Sequence, residues 1–402
     1  MGMIINIDEA LKLRTDYNVL REPLNAMLIE QQEAWERENP IDLLFVRNSI
    51  DRLQETYTSS IGFDHAFAET GDYSVGPIFN TAEGFSATYR TRTFQGSFII
   101  TKQTLEDRQL GKAKDDASQF IKRWHGDVVD YCMTSIDGGF GVERDFQGTK
   151  LKLYSADTTD GKIDTQTKNP LFFKAHNTVK REDGPAPIQQ SNMFFAANAD
   201  HSAAISLTGD DAARVSKMAD FINYVITEME NYRDDNGKRA GVLGAKTIVA
   251  PNDARLKSVI EAALSMDMFA GGQPNPAYKR AVLKTTPYLN DINACKDSSN
   301  DVIGFFIVDK EYMQANHGLE LTERIPLTLE AIETKRPYGI IYDGRERFDV
   351  NVCTWRGIAY CAIKASSTST DWNYYNNFVE IQPVSVVKPV GVVGTVETHA
   401  NA

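Results

Sequence analysis

The residue types that most often carry out chemistry are few and scattered in this sequence. The six histidines are His65, His125, His176, His201, His317 and His399, and none lies within four positions of another. No run matches the motifs of a serine hydrolase, a zinc protease, a dinucleotide-binding turn or a phosphate loop. Carboxylate pairs are abundant, but no spacing singles out one pair as a general acid and base. We therefore predict no enzymatic activity, no catalytic residue, no cofactor and no metal site.

The four cysteines, Cys132, Cys295, Cys353 and Cys361, form no C-x-x-C pair. Cys132 falls on an apolar helical stripe, and Cys353 and Cys361 fall in predicted strands. We interpret all four as buried thiols in a reducing compartment, without a disulfide framework or a zinc site.

Two of the six histidines are interpreted from their surroundings. His176 lies in a long polar segment, 142–207, where a lone histidine is usually a surface residue. His125 follows Trp124 inside a predicted helix, where a packing or surface role is expected rather than catalysis.

The composition excludes some classes of protein. The chain has 402 residues, a formal net charge of −12 and a pI of about 5.1, so it is a poor candidate for coating nucleic acid directly. The hydrophobic share of 42% and the charged share of 24% are those of a globular protein with two or three core-bearing lobes. No apolar run approaches about 18 residues and no apolar region follows Met1, so we predict neither a membrane span nor a signal peptide.

The elements that would position any site are organised around residues 84–136. Residues 112–136 carry apolar side chains at spacings of three and four, from Ala113 to Ile136, which predicts one long amphipathic helix. Before it, residues 84–100 alternate aromatic or β-branched residues with polar ones, which predicts a twisted β-ribbon arm. Neither face of this arm is strongly apolar, so it is marginal alone and would need a neighbouring surface.

The N-terminal region, up to about residue 57, is predicted to contain three short helices. Trp35 lies on the second, and the third carries Leu43, Leu44, Val46, Ile50 and Leu53. Their narrow apolar faces indicate either an arm lying across another surface or a small helical subdomain on the main body.

The second half of the chain combines helices and strands. A second long helix is predicted at 210–234, followed by a buried strand that stops at Pro251 and a helix carrying Leu256 to Leu264. Strands are predicted at 281–285, 302–309, 319–324 and 340–342. Residues 347–364 are predicted to form a β-hairpin or a bent ribbon, with Arg356-Gly357 as the turn.

This order of elements resembles that of the major capsid proteins of tailed bacteriophages, whose fold is named after phage Hong Kong 97. Three local patterns are similar as well. Phe94-Gln-Gly-Ser-Phe-Ile-Ile-Thr-Lys-Gln-Thr-Leu-Glu-Asp leads into the long helix as an extended loop leads into the spine helix of that family. Ala245-Lys-Thr-Ile-Val-Ala-Pro with the helix 253–264 resembles the axial domain, and Phe348-Asp-Val-Asn-Val-Cys-Thr-Trp-Arg-Gly-Ile-Ala resembles the closing strands of the peripheral domain.

The resemblance implies an α+β fold divided into the segments of that family. These are an N-terminal arm (1–60), an extended loop (75–105), a peripheral domain (106–240), an axial domain (241–340), a return to the peripheral domain (345–382) and a C-terminal tail (383–402). Within the peripheral domain, 112–136 would be the spine helix, 142–207 a polar insertion and 210–234 the second long helix.

The function implied by the resemblance is self-assembly into an icosahedral shell around phage double-stranded DNA, without sequence-specific binding. Partners would be other copies of the chain in hexamers and pentamers, a separate scaffold protein, a portal and decoration proteins, with no membrane. The location would be the virion, after assembly in the host bacterial cytoplasm. Some family members join subunits through a lysine on the extended loop. Residues 74–93 contain no lysine, and Lys102 lies at the base of that loop, so we predict no such crosslink.

Candidate assembly contacts are Tyr89, Arg90, Arg92 and Phe94 on the β arm and Trp35 on the N-terminal arm. Other functions remain open from the sequence: an encapsulin-like compartment that shares the fold, a different virion protein such as a tail-tube subunit, or an enzyme with its site in 142–207. Long helices argue against a tail tube, which is mostly β.

Overall fold

The computed structural model describes residues 30, 34–35, 39–60, 83–101, 103–104, 110–163, 167–180, 186–196, 213–269, 272–297, 302–335 and 338–364. The predicted first helix, most of the second, the tip of the arm and the C-terminal tail lie outside these residues. Helices and strands both contribute to the described fold, so the α+β class is confirmed.

The described α-helices are α1 (Leu110–Asp137), α2 (Arg214–Glu230), α3 (Ala254–Ser265) and α4 (Lys310–Ala315). Short 3-10 turns lie at Pro40–Leu43, Gly138–Phe140 and Pro287–Asp291. The first three helices confirm the helices predicted from apolar periodicity.

The strands, in chain order, are β1 (Val46–Ser49), β2 (Gln54–Ser60), β3 (Glu83–Arg90), β4 (Arg92–Thr101), β5 (Arg144–Phe146), β6 (Thr149–Leu151), β7 (Tyr154–Thr158), β8 (Lys168–Pro170), β9 (His176–Asn177), β10 (Gln189–Gln190), β11 (Met193–Phe195), β12 (Lys246–Pro251), β13 (Ala281–Thr286), β14 (Lys296–Asp297), β15 (Val302–Asp309), β16 (Leu319–Lys335), β17 (Tyr338–Val352) and β18 (Ile358–Lys364). The strands β16 and β17 are much longer than predicted.

The central sheet has the strand order β11-β18-β15-β12-β13, and β14 pairs with β15. Every residue of β15 is buried, as expected of a continuous apolar run covered on both faces. The helices α2 and α3 pack in the same core, where Phe221 meets Phe305 edge to face. Asp253 caps α3 by accepting from the backbone N–H groups of Arg255 and Leu256, which fixes where that helix begins.

The long sheet has the order β1-β16-β17-β4, in which β1 is parallel to β16 and the other pairs are antiparallel. The first half of α1 covers one face of it, where Ala113 and Ala117 pack on Ile100, Ile340 and Tyr342. After Asp137 the chain makes a 3-10 turn and leaves the helix through Gly141, whose φ of 82° suits glycine.

The prediction of a single ribbon over residues 84–100 is wrong. The extended segment is interrupted at Thr91, and the strands before and after this residue belong to different sheets. β3 pairs with β2 to form a two-stranded ribbon, whereas β4 pairs with β17 in the long sheet. Alternation along one segment predicts a strand but does not specify its partner, which here comes from a distant part of the chain.

The hairpin predicted at 347–364 is also wrong, for the same reason. β17 belongs to the long sheet and β18 to the central sheet, so Arg356-Gly357 joins two sheets instead of turning within one.

The prediction of a third N-terminal helix is wrong as well, because residues 40–53 form a 3-10 turn, the strand β1 and the bend before β2. Ile41, Leu44, Phe45 and Ile50 are nevertheless buried, so the apolar residues were correctly read as a packing signal but with the wrong period.

Candidate functional site

The ribbon is fixed to the body of the subunit at its root. The ring of His317 lies 4.0 Å from that of Tyr57, and the Tyr89 hydroxyl donates to the His317 carbonyl oxygen at 3.2 Å. Glu320 on β16 accepts from Asn48 Nδ2 at 2.8 Å and contacts His317 Nδ1 at 3.2 Å. Burial raises the pKa of the Glu320 carboxyl, although these partners oppose the shift. The ribbon therefore leaves the body from a rigid, hydrogen-bonded base.

Hydrogen bonds join the long helix α1 to the long sheet at Tyr131, whose hydroxyl donates to the Asp349 carboxylate at 2.5 Å, and at Trp124. Trp124 Nε1 donates to the Glu346 carboxylate at 2.5 Å. Glu346 is buried, and burial, together with the neighbouring charge of Glu323, raises its pKa from the usual 4.5 to about 7. The contact thus holds a carboxyl group that changes charge near neutral pH.

Two glycines make room for the Trp124 ring. Gly96 and Gly344 lie opposite each other on β4 and β17. A Cβ atom at Gly96 would lie 3.1 Å from Trp124 Cζ3, and one at Gly344 would lie 3.4 Å from the same atom. The absence of side chains at these positions lets the indole approach the sheet closely.

The other face of the long sheet points away from α1. Its side chains lie in cross-strand rows, because residues paired across antiparallel strands share a face. One row is apolar and consists of Ile99, Ile341 and Ile332. Ile332 is 50% exposed, and the other two are partly exposed. The next row, Ser97, Asp343 and Glu330, is polar. We call this surface the open face.

The five predicted contact residues fall into two groups. Tyr89, Phe94 and Trp35 are engaged within the chain: Tyr89 is only 1% exposed, Phe94 stacks on Phe348, and Trp35 stacks on His125 at 4.6 Å. Tyr89 is thus a core residue, and the expectation that it contacts a neighbouring subunit is wrong. His125 has the predicted packing role.

Arg90 and Arg92 remain accessible at the end of β3 and the start of β4. Arg90 donates to the Gln54 side chain, and Arg92 pairs with Asp349 at 3.0 Å. Their assignment as assembly contacts stays a prediction.

A buried polar cluster lies within the polar segment, where the sequence predicted a surface histidine. That prediction is wrong, because the His176 side chain is 0% exposed. His176 Nδ1 lies 3.1 Å from both Asp157 carboxylate oxygens, and its ring stacks on Trp355 at 4.2 Å. The apolar runs 171–173 and 193–195 on either side were the signal that this segment is buried.

Acceptor oxygens lie beside both ring nitrogens of this cluster. Asn192 Nδ2 donates to the Leu171 and Ile358 carbonyl oxygens, so its Oδ1 faces His176 Nε2 at 3.2 Å. The Asp157 carboxylate faces Nδ1, so both ring nitrogens are engaged within the chain. Burial alone would raise the pKa of the Asp157 carboxyl, but the charge and hydrogen bonds of His176 and the bonds from Ser155 and Asn169 lower it.

A second buried pair flanks this cluster. Arg356 donates to Asp235 at 2.8 Å and to the Arg233 carbonyl oxygen at 2.8 Å, and its guanidinium lies 5.2 Å from the centre of the Trp355 ring. Burial opposes the charged form of Arg356, but Asp235 outweighs it and raises the pKa of the guanidinium. Together the two pairs tie the polar segment and α2 to the connection between the two sheets.

In both buried pairs, the charged and polar side chains bond to partners within the chain. The two His176 nitrogens are occupied by Asp157 and Asn192, so the ring has no free nitrogen with which to act as a base. All four cysteines are buried free thiols, as predicted. Within the described ranges, no group of three or more histidine, cysteine, aspartate or glutamate side chains could hold a metal ion. None of the described helices is long and apolar enough to cross a membrane.

The comparisons with known proteins give structural likenesses only. No family model and no curated protein matches the sequence. A chain of Mycobacterium phage Patience aligns with a TM-score of 0.45 and 13% identity, over 87% of this chain and 89% of its own. The capsid of Myoviridae phage XM1 aligns with a TM-score of 0.42 and 11% identity, over 80% and 90%. A virus-like particle from Pyrococcus furiosus aligns with a TM-score of 0.40 and 9% identity, over 85% and 98%. The chain is thus similar, over most of its length, to proteins of two phages and of one virus-like particle.

Proposed function

We propose that this protein is a major capsid protein of a tailed bacteriophage, which self-assembles into an icosahedral shell around double-stranded DNA and has no catalytic activity. The subunits would form hexamers and pentamers, with a scaffold protein, a portal and decoration proteins as partners. Assembly would take place in the host bacterial cytoplasm, and the mature protein would reside in the virion.

The observation that carries the proposal is the open face of the long sheet. The β16–β17 hairpin is covered by α1 on one face, and within the described part of the chain the row Ile99, Ile341 and Ile332 on its other face is partly exposed. Apolar surface ringed by polar residues is typical of a protein interface. Since the ribbon also extends from a rigid base, each subunit offers two surfaces suited to contacts with its neighbours.

Several such contacts acting together would close a shell even if each were weak. The net negative charge of the chain fits a shell that encloses DNA without binding it tightly. A lining with many basic side chains would hold phosphates tightly and resist packaging and release, whereas this chain has a net charge of −12.

The buried clusters weigh against the alternative of an enzyme with its site in 142–207. The histidine that the structure describes there has both nitrogens bonded within the chain, which favours a structural role. An encapsulin-like compartment would use the same two surfaces and differs in its contents.

The test is negative-stain electron microscopy with sedimentation of the purified full chain, alone and with proteins encoded beside it. Closed shells, or rings of five and six subunits, are expected. Nuclease-protected double-stranded DNA in particles from the native source would support the phage capsid, whereas a protein cargo would favour the compartment. A monomer or dimer under every condition would refute both.

A further inference from the structure

A basic groove lies on the body of the subunit, between β3, β7 and β17. Its volume is about 390 Å³, and the charged side chains that line it are Arg90, Arg92, Lys152, Lys168 and Asp349. Four of these five charges are positive, although the whole chain has a net charge of −12. The basic groove is therefore a local concentration of cations on an acidic protein.

The four cations of the groove come from four separate places in the chain. Arg90 ends β3, Arg92 begins β4, Lys152 lies between β6 and β7, and Lys168 begins β8. Like charges that share one concave surface repel each other, and the protein wall strengthens the field that they create. The fold thus brings these cations together at an electrostatic cost, which an anion in the groove would offset.

One carboxylate lies among the described residues that line the groove, and it is already engaged. Asp349 accepts from Arg92 at 3.0 Å, from the Tyr131 hydroxyl at 2.5 Å and from the backbone N–H of Val350 at 2.8 Å. It pairs with Arg92, so the other three cations depend on other partners.

The described partners of Arg90 and Lys152 compensate little charge. Arg90 donates to the side chain of Gln54 at 3.1 Å, and this side chain is neutral. Lys152 Nζ lies 3.9 Å from the Glu143 carboxylate, and both side chains are exposed, so the attraction is weak. Both cations can therefore bind an incoming anion.

Lys168 is held in place at the wall of the groove. Its amine donates to the Ser86 carbonyl oxygen, and burial lowers its pKa. An anion in the groove would oppose that shift, because a nearby negative charge favours the charged amine. A cation that is already held in place loses little conformational freedom when it binds a ligand.

The dimensions of the groove restrict the size of the ligand. A cavity of about 390 Å³ holds a chain of several phosphate groups, whereas a DNA duplex is far wider and could touch only the rim. Tyr154 lines the groove and is 40% exposed, so a planar ring bound beside the phosphates could stack on it.

We propose that the basic groove is a binding site for a compact polyphosphate, either free or as the phosphate chain of a nucleotide. Three cations with little compensation match an anion that carries several charges along a short chain. Arginine suits this ligand, because its planar guanidinium can donate two parallel hydrogen bonds to one phosphate. The inference goes beyond the proposed function and does not depend on assembly of a shell.

Calorimetric titration of the purified full chain tests the site, with sodium tripolyphosphate as the first probe. We expect the wild type to bind it and Arg90→Gln/Lys152→Gln to bind it at least about tenfold more weakly. Both side chains are exposed, so the melting temperature of this variant should not change.

The matched control is Lys122→Gln/Lys257→Gln, which removes the same charge from two exposed lysines that do not line the groove. This variant should bind tripolyphosphate as the wild type does. An equal loss of affinity in both variants would overturn the site, because the net charge of the chain would then explain the binding.

ATP as a second probe separates the two sources of the phosphate chain. If the ligand is a nucleotide, ATP binds more tightly than tripolyphosphate, and Tyr154→Ala weakens the binding of ATP alone. If the ligand is free polyphosphate, Tyr154→Ala changes neither affinity. Both results support the site, and they differ in the ligand that they assign to it.

Two further results would overturn the inference. Wild-type protein that binds neither probe has no such site. A short DNA duplex that binds more tightly than tripolyphosphate would show that the cations contact a nucleic acid backbone instead of a compact ligand. Shells that assemble from a chain without polyphosphate binding would overturn the groove alone, whereas binding by a chain that forms no shells would refute the proposed function alone.

Discussion

Trp124 and Glu346 join the long helix to the long sheet through a part-buried hydrogen bond. The indole nitrogen donates to the carboxylate at 2.5 Å. Burial sets the pKa of this carboxyl near 7, well above its usual value. The Trp124 hydrogen bond favours the charged carboxylate, but burial outweighs it, so ionisation of Glu346 destabilises the folded subunit.

Replacing Glu346 with glutamine should stabilise the subunit at alkaline pH. The folded-state pKa lies above the unfolded value of 4.5, so the stability that the neutral carboxyl contributes is full below pH 4.5 and is lost as the pH rises through 7. Glu346→Gln keeps the acceptor for Trp124 and removes the charge. We expect a gain of about 2 kcal/mol at pH 8 and none at pH 4.5, measured by urea unfolding of the dissociated subunit.

The matched control for Glu346 is Glu330→Gln on the neighbouring strand, where the side chain is exposed. This variant should leave the urea midpoint unchanged at both pH values. An equal gain in the two variants would mean that general charge reduction, and not the buried carboxyl, is responsible.

Placing a charge in the apolar row of the open face should block assembly without unfolding the subunit. Ile332 is half exposed in the apolar row, so Ile332→Lys removes little internal packing but would bury an unpaired charge in an interface. We expect particle yield to fall at least about tenfold with an unchanged melting temperature. Thr328→Lys adds the same charge on the same strand outside the apolar row, and it should assemble. Normal shells from Ile332→Lys would remove the open face from the list of interfaces.

Breaking the buried histidine pair should strongly destabilise the fold. His176→Gln leaves Asp157 as an uncompensated buried charge, for which a loss of about 3–5 kcal/mol is expected. Adding Asp157→Asn removes that charge and should recover part of the loss. His317→Gln, at a partly exposed histidine beside one carboxylate, is the control and should cost much less. The urea midpoints of the wild type and of the three variants test this expectation.

The pH dependence of this pair has the opposite sign to that of Glu346. The pKa of Asp157 is lowered in the folded state, so the stability that it contributes is present above its usual pKa of 3.8 and is lost as the pH falls through the folded value. The free energy of unfolding should therefore fall less steeply toward acid pH in the His176→Gln/Asp157→Asn variant than in the wild type. An unchanged acid limb would show that other carboxylates control acid unfolding.

Truncation at the N-terminus should separate packing from assembly. Removing residues 1–55 deletes Ile41, Leu44, Phe45 and Ile50, all buried, together with strand β1, so we expect an unfolded or aggregated chain. Removing residues 1–29 spares all of these, and we expect a folded subunit by circular dichroism. A folded 56–402 fragment would contradict the packing of this region.

How much could be predicted from the sequence depends on the range of the interactions. The helix α1 was predicted correctly because Ala113, Ala117 and Ile121 repeat a local period. The pairing of β4 with β17 was not, since Arg92 and Phe348 are joined by no local pattern. The helix prediction for segment 41–53 was wrong because a few apolar residues in a short stretch can match a helical spacing without forming a helix.

The buried polar cluster was beyond prediction for a related reason. His176 acquires its role from Asp157 on β7, Asn192 just before β11 and Trp355 in the connection between β17 and β18. The sequence showed a histidine in a polar segment, and only the tertiary fold shows the acceptors on both ring nitrogens. Of the candidate contacts, Tyr89 was misassigned because alternation does not reveal which face of a strand is covered.

The parallel pairing of β1 with β16 constrains the timing of folding. The hydrogen bond from Asn48 to Glu320 spans 272 residues. At about 5–20 residues per second, the ribosome needs roughly 15–50 s to deliver the second partner after the first. We expect the long sheet to form only as synthesis nears its end, so ribosome-stalled chains ending near residue 300 should leave β4 open to protease. An unfinished chain would then lack the open face and could not be built into a shell.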